Sequence, residues 1–236
     1  PGLIGESTAI ADVRLEIDRV ADLDVPVLIL GESGTGKERV AQLIHERSGR
    51  RDAELVAVNM ATVPGTTAVS TLFGHAKGAF TGAQHRHIGL FERAHGSTLF
   101  LDEIGETPDD VQPMLLRVLE TGRITPLGES TERVVDVRVV AATDADLEGD
   151  AAHGHFRRAL LHRLAGYDIR LPPLRERRED IPRLFLHFLR EELELTGDPG
   201  LLSCDPTDAV PAIPTWLMTR LLLHRLDGNV RQLRNL

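Results

Sequence analysis

Gly31-Glu32-Ser33-Gly34-Thr35-Gly36-Lys37 is a glycine-punctuated segment closed by a lysine, and that composition suits it to hold a polyphosphate. Glycines let the backbone curl so that successive N–H groups point inward. The lysine adds a point charge, and a helix opening just after it adds the partial positive charge of its N-terminus. The strict pattern asks for Ser or Thr after the lysine to hold Mg2+, and Glu38 stands there instead. A plain glycine turn is the competing reading. Further along, Asp102-Glu103 closes the apolar run Leu99-Phe100-Leu101. An acidic pair at such a point suits hydrolysis, with Asp102 holding Mg2+ through water and Glu103 orienting the water that attacks a terminal phosphate. The same pair could end a solvated strand, or cap the turn that runs on to Thr107-Pro108-Asp109-Asp110. His85-x-His87 and His153-x-His155 offer metal-ligand pairs, but with no cysteine nearby and without i,i+4 helical spacing. Cys204 lies among prolines with no partner histidine pattern and reads as a bland residue, and Trp216 and Leu217 read as helical core.

These residues need a frame. Pro26-Val27-Leu28-Ile29-Leu30 is a short apolar run ending at Gly31, the pattern of a buried parallel strand. From Lys37 to about Arg47, Val40, Leu43 and Ile44 share one helical face. Further apolar runs end at Asn59, at Asp102-Glu103 and at Thr143-Asp144, and Tyr167–Leu171 stops at Pro172-Pro173. Strands separated by helical stretches predict an α/β fold, a parallel sheet with helices on both faces. Ligands bind such sheets at the carboxyl ends of the strands, where these polar residues fall. Pro113, five residues after Pro108, is expected to cost a helix hydrogen bond. The proline pair marks a boundary between an α/β unit over 1–173 and a helical unit over 174–236. In the latter, Ile181–Leu195 reads as an amphipathic helix, a proline-punctuated link follows, and a helix spans about Thr215 to Leu226. The last helical pattern is still running at Leu236, so the helical unit reads as incomplete and the chain as a piece of something longer.

Composition limits the partners. The 236 residues carry 27 Lys+Arg against 36 Asp+Glu, a formal charge of −9, which disfavours a protein that coats nucleic acid by neutralising phosphates. Seven Phe, one Tyr and one Trp are too few for stacking platforms along a single strand. Basic residues do cluster in Arg157-Arg158 and in Arg175-Glu176-Arg177-Arg178, where a solvated, partly paired helix face competes with a functional reading. No apolar run reaches the ~18 residues of a membrane span, the start Pro1–Gly5 has no signal-peptide pattern, and a single cysteine fits a reducing, cytoplasmic setting.

Between the two phosphate-site motifs lies Gly78-Ala79-Phe80-Thr81-Gly82-Ala83, by composition a loop with an exposed phenylalanine. Together with Gly31–Glu38, Leu72-Phe73-Gly74-His75 and Leu99-Phe100-Leu101-Asp102-Glu103-Ile104-Gly105, it resembles the central AAA+ domain of bacterial sigma-54-dependent transcriptional activators, the enhancer-binding proteins. The similarity runs from about Leu3 to the end, and Gly228-Asn229-Val230-Arg231-Gln232-Leu233 looks like the family's sensor II. In that family Glu38 after the lysine is normal. The resemblance implies an AAA+ P-loop NTPase with a helical lid, in which Gly31, Glu32, Ser33, Gly34, Thr35, Gly36, Lys37 and Glu38 hold ATP. Asp102 and Glu103 would form Walker B around Mg2+, Asn59 would restrain the catalytic glutamate, and Thr143 would be sensor I. Arg157 and Arg163 would reach a neighbouring subunit's nucleotide, and Arg231 would contact phosphates from the lid. The loop Gly78, Ala79, Phe80, Thr81, Gly82, Ala83 would touch sigma-54, with Thr81 at its tip. It further implies a ring homo-oligomer, a hexamer, that hydrolyses ATP to remodel the closed sigma-54 RNA polymerase–promoter complex. Family members usually carry a regulatory domain before this region and a helix-turn-helix after it, so direct DNA binding is not expected of these residues.

The chain departs from the family pattern in places. Asp144 follows Thr143 where His or Asn is common, and a carboxylate there would repel a γ-phosphate. Arg158-Ala159 replaces Glu-Asp after Arg157, Ala76 replaces a glutamate, and Leu226-Asp227 replaces Trp-Pro. Two other functions compete with a ring motor: a monomeric P-loop ATPase or small-molecule kinase, and a nucleotide-binding regulatory module with little or no ATPase activity. The Gly78–Ala83 loop and the two arginines disfavour the monomeric enzyme, because chemistry within one subunit needs neither. Asp144 and the altered neighbours of Arg157 keep the binding module open beside the leading reading, the ring motor.

Overall fold

The computed structural model describes residues 2–197 and 214–236. Cys204 and most of the proline-punctuated link lie outside the described residues. In chain order the elements are α1 (Thr8–Ala21), β1 (Val27–Leu30), α2 (Lys37–Glu46), β2 (Val56–Asn59), α3 (Gly65–Phe73), α4 (Leu90–Arg93), β3 (Thr98–Asp102), α5 (Gln112–Thr121), β4 (Arg123–Ile124), β5 (Arg133–Val134), β6 (Arg138–Thr143), α6 (Leu147–His153), α7 (Arg158–Leu164), β7 (Tyr167–Arg170), α8 (Ile181–Thr196), α9 (Thr215–Leu223) and α10 (Asn229–Arg234). Two compact units result. One holds Leu15–Gly31 and Lys37–Arg170, the other Pro1–Arg14, Glu32–Gly36 and Leu171–Leu236.

The first of these is built on a five-stranded sheet in the order β2-β3-β6-β1-β7, and every neighbouring pair is parallel. All five apolar runs form its strands. Alternation along a strand sends Leu28, Leu99, Leu101, Val139 and Ala141 to one face, in a core with Phe73, Phe91, Leu115 and Leu160. The Phe73 and Phe91 rings stack with centroids 5.4 Å apart. Ile29, Phe100 and Val140 alternate to the other face and are buried as well, and α2 packs on β1, β3 and β6 with Val40 and Ile44 inward. Both faces are therefore covered, which is why β1 and β6 read as continuous apolar runs. Pro113 costs no helix hydrogen bond, because α5 begins at Gln112 and the proline falls in its first turn, where an N–H has no intrahelical partner. The two-residue strands β4 and β5 pair antiparallel.

Arg138 opens β6 with its side chain buried, 3% exposed. Its guanidinium donates to the carbonyls of Val20, at 2.7 Å, and Ala21, the last groups of α1, so it closes the C-terminal end of that helix with a charge the helix dipole favours. Arg138→Met, similar in bulk, leaves those carbonyls without their donor. We expect it to cost about 2 kcal/mol of stability, read as a lower urea midpoint at unchanged slope. A loss below ~0.5 kcal/mol would show that the helix end is satisfied without it.

The second unit packs Leu174, Ile181, Leu184, Leu221, Leu226 and Leu233 from the turn after Pro173, from α8, α9 and α10, and from the α9–α10 turn into a small core. Its N-terminal segment is tied by Asp180, fully buried, which accepts the N–H groups of Glu6 at 2.7 Å and Ser7 at 2.9 Å and the Ser7 hydroxyl at 2.6 Å. These bonds, with those described below for the phosphate loop, explain why residues 1–14 and 32–36 group with the C-terminal helices and not with the sheet. α9 stops at Leu223, short of Leu226, because His224 turns extended and Leu226 takes a left-handed φ of 47°. Leu217 packs against the core as expected. Trp216 does not: it is 64% exposed on the outer side of α9.

Candidate functional site

The carboxyl ends of adjacent strands carry the predicted polar residues of the sheet unit. Asn59 of β2 stands in register with Asp102 of β3, and Leu30 of β1 with Thr143 of β6. Gly31 follows β1 and donates its N–H to the Thr143 carbonyl at 3.2 Å. Lys37, first residue of α2 and 6% exposed, donates its ammonium to the Gly31 carbonyl at 2.8 Å and lies 3.8 Å from Glu103 Oε1. The structure thus brings Lys37 and Glu103 together across 66 positions of sequence. Asn59 Nδ2 donates to Asp102 Oδ2 at 3.1 Å and its Oδ1 accepts from the Ala61 N–H. The asparagine therefore holds Asp102 here, while Glu103 faces the lysine. Glu103 has a left-handed φ of 51°, one of three non-glycine residues with positive φ among those described, a strained conformation of the kind that gathers at functional sites. Burial pushes its carboxyl above the ordinary range against the pull of Lys37, and the Asp144 and Asp102 carboxylates push the same way. Thr143 is buried and its hydroxyl accepts from the Ala145 N–H at 3.0 Å, whereas Asp144 is exposed.

Residues 32–36 belong to the other unit. Gly34 has φ +78° and Gly36 +109°, and a Cβ on Gly34 would stand 2.3 Å from the Gly228 carbonyl, so position 34 admits only glycine. The Gly34 carbonyl accepts from Val230 N–H at 2.9 Å and Arg231 N–H at 3.2 Å, and the Arg231 guanidinium reaches Ser33 Oγ at 3.0 Å. Glu32 takes a two-pronged ion pair from Arg175, 2.7 Å on each oxygen; that guanidinium, with help from Asn229, holds its carboxyl below the ordinary range. Arg175, Arg177 and Asn229 were legible only as a charge run and as part of the sensor II segment. Glu38 lies exposed on α2 and pairs with Gln42.

Each unit, taken by itself, carries groups whose chemistry suits part of a Mg2+–nucleotide. Among the described residues, the N–H groups of Ser33, Gly34 and Gly36 donate to no protein acceptor, which leaves them for phosphate oxygens. In the sheet unit, Asp102 offers a hard carboxylate of the kind that Mg2+ takes.

The remaining candidates lie elsewhere on the sheet unit. Arg157 precedes α7 with its N–H bonded to Gln112 Oε1 at 2.8 Å and its side chain exposed. Arg163, near the end of α7, is turned onto its own chain: Nε and Nη2 donate to the Leu119 carbonyl at 3.0 and 2.8 Å, in the last turn of α5. The Gly78–Ala83 loop closes on itself by the Gly78 N–H to Ala83 carbonyl bond, 2.8 Å, and its base is a backbone bridge between His75 and His87. Phe80 is 47% exposed, edge-on to His75, and Thr81 is exposed. His87 stacks on His75, and His153 on His155. Among the described residues no group of three or more His, Cys, Asp or Glu is arranged to hold a metal ion, and no helix is long and apolar enough to cross a membrane.

Comparison with known proteins sets this arrangement in a family. Residues 3–170 match the family model of the sigma-54 interaction domain. Over 231 residues the chain is 47% identical to the C4-dicarboxylate transport transcriptional regulatory protein DctD of Rhizobium meliloti, covering 98% of this chain and 48% of that protein. It is 48% identical over 233 residues to the transcriptional regulator NtrC of Escherichia coli, covering 99% and 48%. NtrX of Brucella abortus, solved with ADP and with ATP, superposes over 99% of this chain with TM-scores of 0.85 and 0.84 at 37% identity, covering 49% and 48% of that protein. The chain spans about half the length of the curated relatives it matches. Its parallel-sheet α/β fold is that of AAA+ P-loop NTPases, and this chain belongs to the sigma-54 interaction domain family.

Proposed function

We propose that this chain binds and hydrolyses ATP as one subunit of a homo-oligomeric ring, a hexamer, in the bacterial cytoplasm, and that the ring remodels the closed complex of sigma-54 RNA polymerase to activate transcription. The observation that carries the reading is the Lys37–Glu103 contact at the carboxyl ends of the central strands, which sets a cation suited to phosphate beside a carboxylate suited to align a water. Residues 31–38 hold the phosphates, and Lys37 supplies positive charge. Mg2+, when bound at Asp102, neutralises phosphate charge and orients the transferring group. Glu103 orients the attacking water, Asn59 holds Asp102, Thr143 holds the strand end in place, and Arg231 takes phosphate charge from the helical unit. Arg157 and Arg163 act on the neighbouring subunit's nucleotide.

A second reading, a nucleotide-binding regulatory module without turnover, is favoured by Asp144, an exposed carboxylate after Thr143 that would repel a γ-phosphate. Phosphate release measured against protein concentration separates the two. A ring motor shows specific activity rising with concentration, a monomeric enzyme shows it constant, and a binding module shows none.

The sigma-54 assignment rests on the Gly78–Ala83 loop. Glycines near both ends and small residues around one aromatic let it extend and retract, and Thr81 is at its exposed tip. Thr81→Ala should keep the parent ATPase rate yet lose capture of sigma-54 in the presence of a transition-state mimic of ATP, because the contact lies on the loop and not in the phosphate site. A mutant that hydrolyses normally and still captures sigma-54 would place the contact elsewhere, as expected of an inert surface threonine.

A further inference from the structure

Three side chains of the helical unit hold the phosphate loop, two by its backbone carbonyls and one by the Glu32 carboxylate. Asn229 Nδ2 donates to the Ser33 carbonyl at 3.1 Å and to Glu32 Oε2 at 3.2 Å, while its Oδ1 accepts the Leu174 N–H at 2.7 Å. Arg177 Nη2 donates to the Thr35 carbonyl at 3.1 Å. Arg175 grips Glu32 with both of its terminal nitrogens. With Val230 and Arg231 N–H on the Gly34 carbonyl, the carbonyls of Ser33, Gly34 and Thr35 are all occupied from the same unit.

A trans peptide is planar, with its carbonyl and the next N–H pointing opposite ways. Fixing those three carbonyls therefore aims the N–H groups of Gly34, Thr35 and Gly36 away from the helices. Of these, Gly34 and Gly36 donate to no protein acceptor among the described residues, and Thr35 makes only a long 3.3 Å bond to the Glu32 carbonyl.

The arrangement is expensive for a merely structural one. Arg177 is 3% exposed and its Nε has no partner among the described residues. An apolar side chain of similar volume stabilises a core as well as a buried charge does, or better. Asn229, 1% exposed, holds a left-handed φ of 53°, a conformation glycine adopts at lower cost. Both residues keep a costly state and spend it on the loop.

We propose that Arg175, Arg177 and Asn229 are positioning residues that orient the peptide groups of the phosphate loop for nucleotide, an inference that rests on the nucleotide-binding reading above. None of them needs to touch the ligand.

The test is binding of a fluorescent ADP analogue to the whole chain, followed by anisotropy. Asn229→Gly removes the side chain at a φ that glycine accepts, and Arg175→Ala frees Glu32. Each is expected to raise the dissociation constant about tenfold, the worth of one charge-assisted hydrogen bond. The double variant should fall short of the product, because both side chains hold the same Glu32. With ATP, KM should rise while kcat stays within about threefold, since what is lost is shared by ground and transition states. A side chain serving stability alone would move the unfolding midpoint and leave the dissociation constant alone. Where Asn229→Gly does not fold, Arg175→Lys decides: with a point charge for the two-pronged grip, it should weaken binding about threefold. A parent chain that binds the analogue beside variants within twofold of it overturns the positioning role alone. A parent chain that binds none overturns the nucleotide reading and this inference with it.

Discussion

Glu103→Ala is expected to stop ATP turnover, by about 10³-fold, while nucleotide still binds, and Lys37→Ala to lose the binding itself. The two residues are 3.8 Å apart, so proximity alone does not distinguish them; their chemistry does. The lysine carries a charge that attracts phosphates already in the ground state. The glutamate has no attraction for phosphate and contributes only when a water must be aligned and its proton accepted, a contribution typically worth 10²–10⁴-fold. Removing Glu103 also removes the partner that holds the Lys37 ammonium opposite the Gly31 carbonyl, which frees the lysine for phosphate, so affinity should hold or rise. Phosphate release and fluorescent-nucleotide titration on the same preparations check both halves. Turnover at the parent rate in Glu103→Ala would remove the glutamate from the mechanism.

The strands were legible because burial on both faces writes itself as continuous apolar runs, and their polar ends fell at the edge where parallel sheets of this kind take ligands. Arg138 shows the limit of that signal. An arginine amid valines gives no sign of whether it leaves the sheet or, as here, bends to the end of α1, since the distant carbonyls of Val20 and Ala21 decide. Trp216 shows the converse: its bulk suggests core, yet its place on α9 turns it outward. At the site, the residue types were readable and their pairing was not. Neighbouring carboxylates look alike in sequence, and only the left-handed φ at Glu103 separates them, turning one toward Lys37 and leaving the other to Asn59. Arg175 and Arg177 sit two apart in a charge run, with nothing local to say that one is exposed on Glu32 and the other buried on Thr35.

Arg163 tests the ring most directly. A shared site requires that one chain supply the phosphate loop and Lys37 while its neighbour supplies the arginine. Mixing Arg163→Ala with Lys37→Ala should therefore restore turnover that neither has alone. In a randomly mixed head-to-tail ring with equal amounts of each, roughly one interface in four pairs an intact loop with an intact arginine. An arginine acting on the transferring phosphate is worth ~10³-fold or more, so that recovered fraction stands far above the background of either single variant. In this structure Arg163 is held on its own chain by two hydrogen bonds to the Leu119 carbonyl, whereas the Arg157 side chain is exposed. Arg163 must leave α5 to act on a neighbour, so at concentrations too low for a ring it is a cap for that helix and nothing more. Two consequences separate the roles. Arg163→Ala should lower the unfolding midpoint of the dilute chain slightly, while Arg157→Ala should leave it unchanged. Both should abolish turnover in the assembled state, and both should be rescued by the Lys37→Ala chain. Assembly is confirmed by sedimentation at each mixing ratio, and an assembled mixture with no recovery at any ratio would show that each subunit completes its own site.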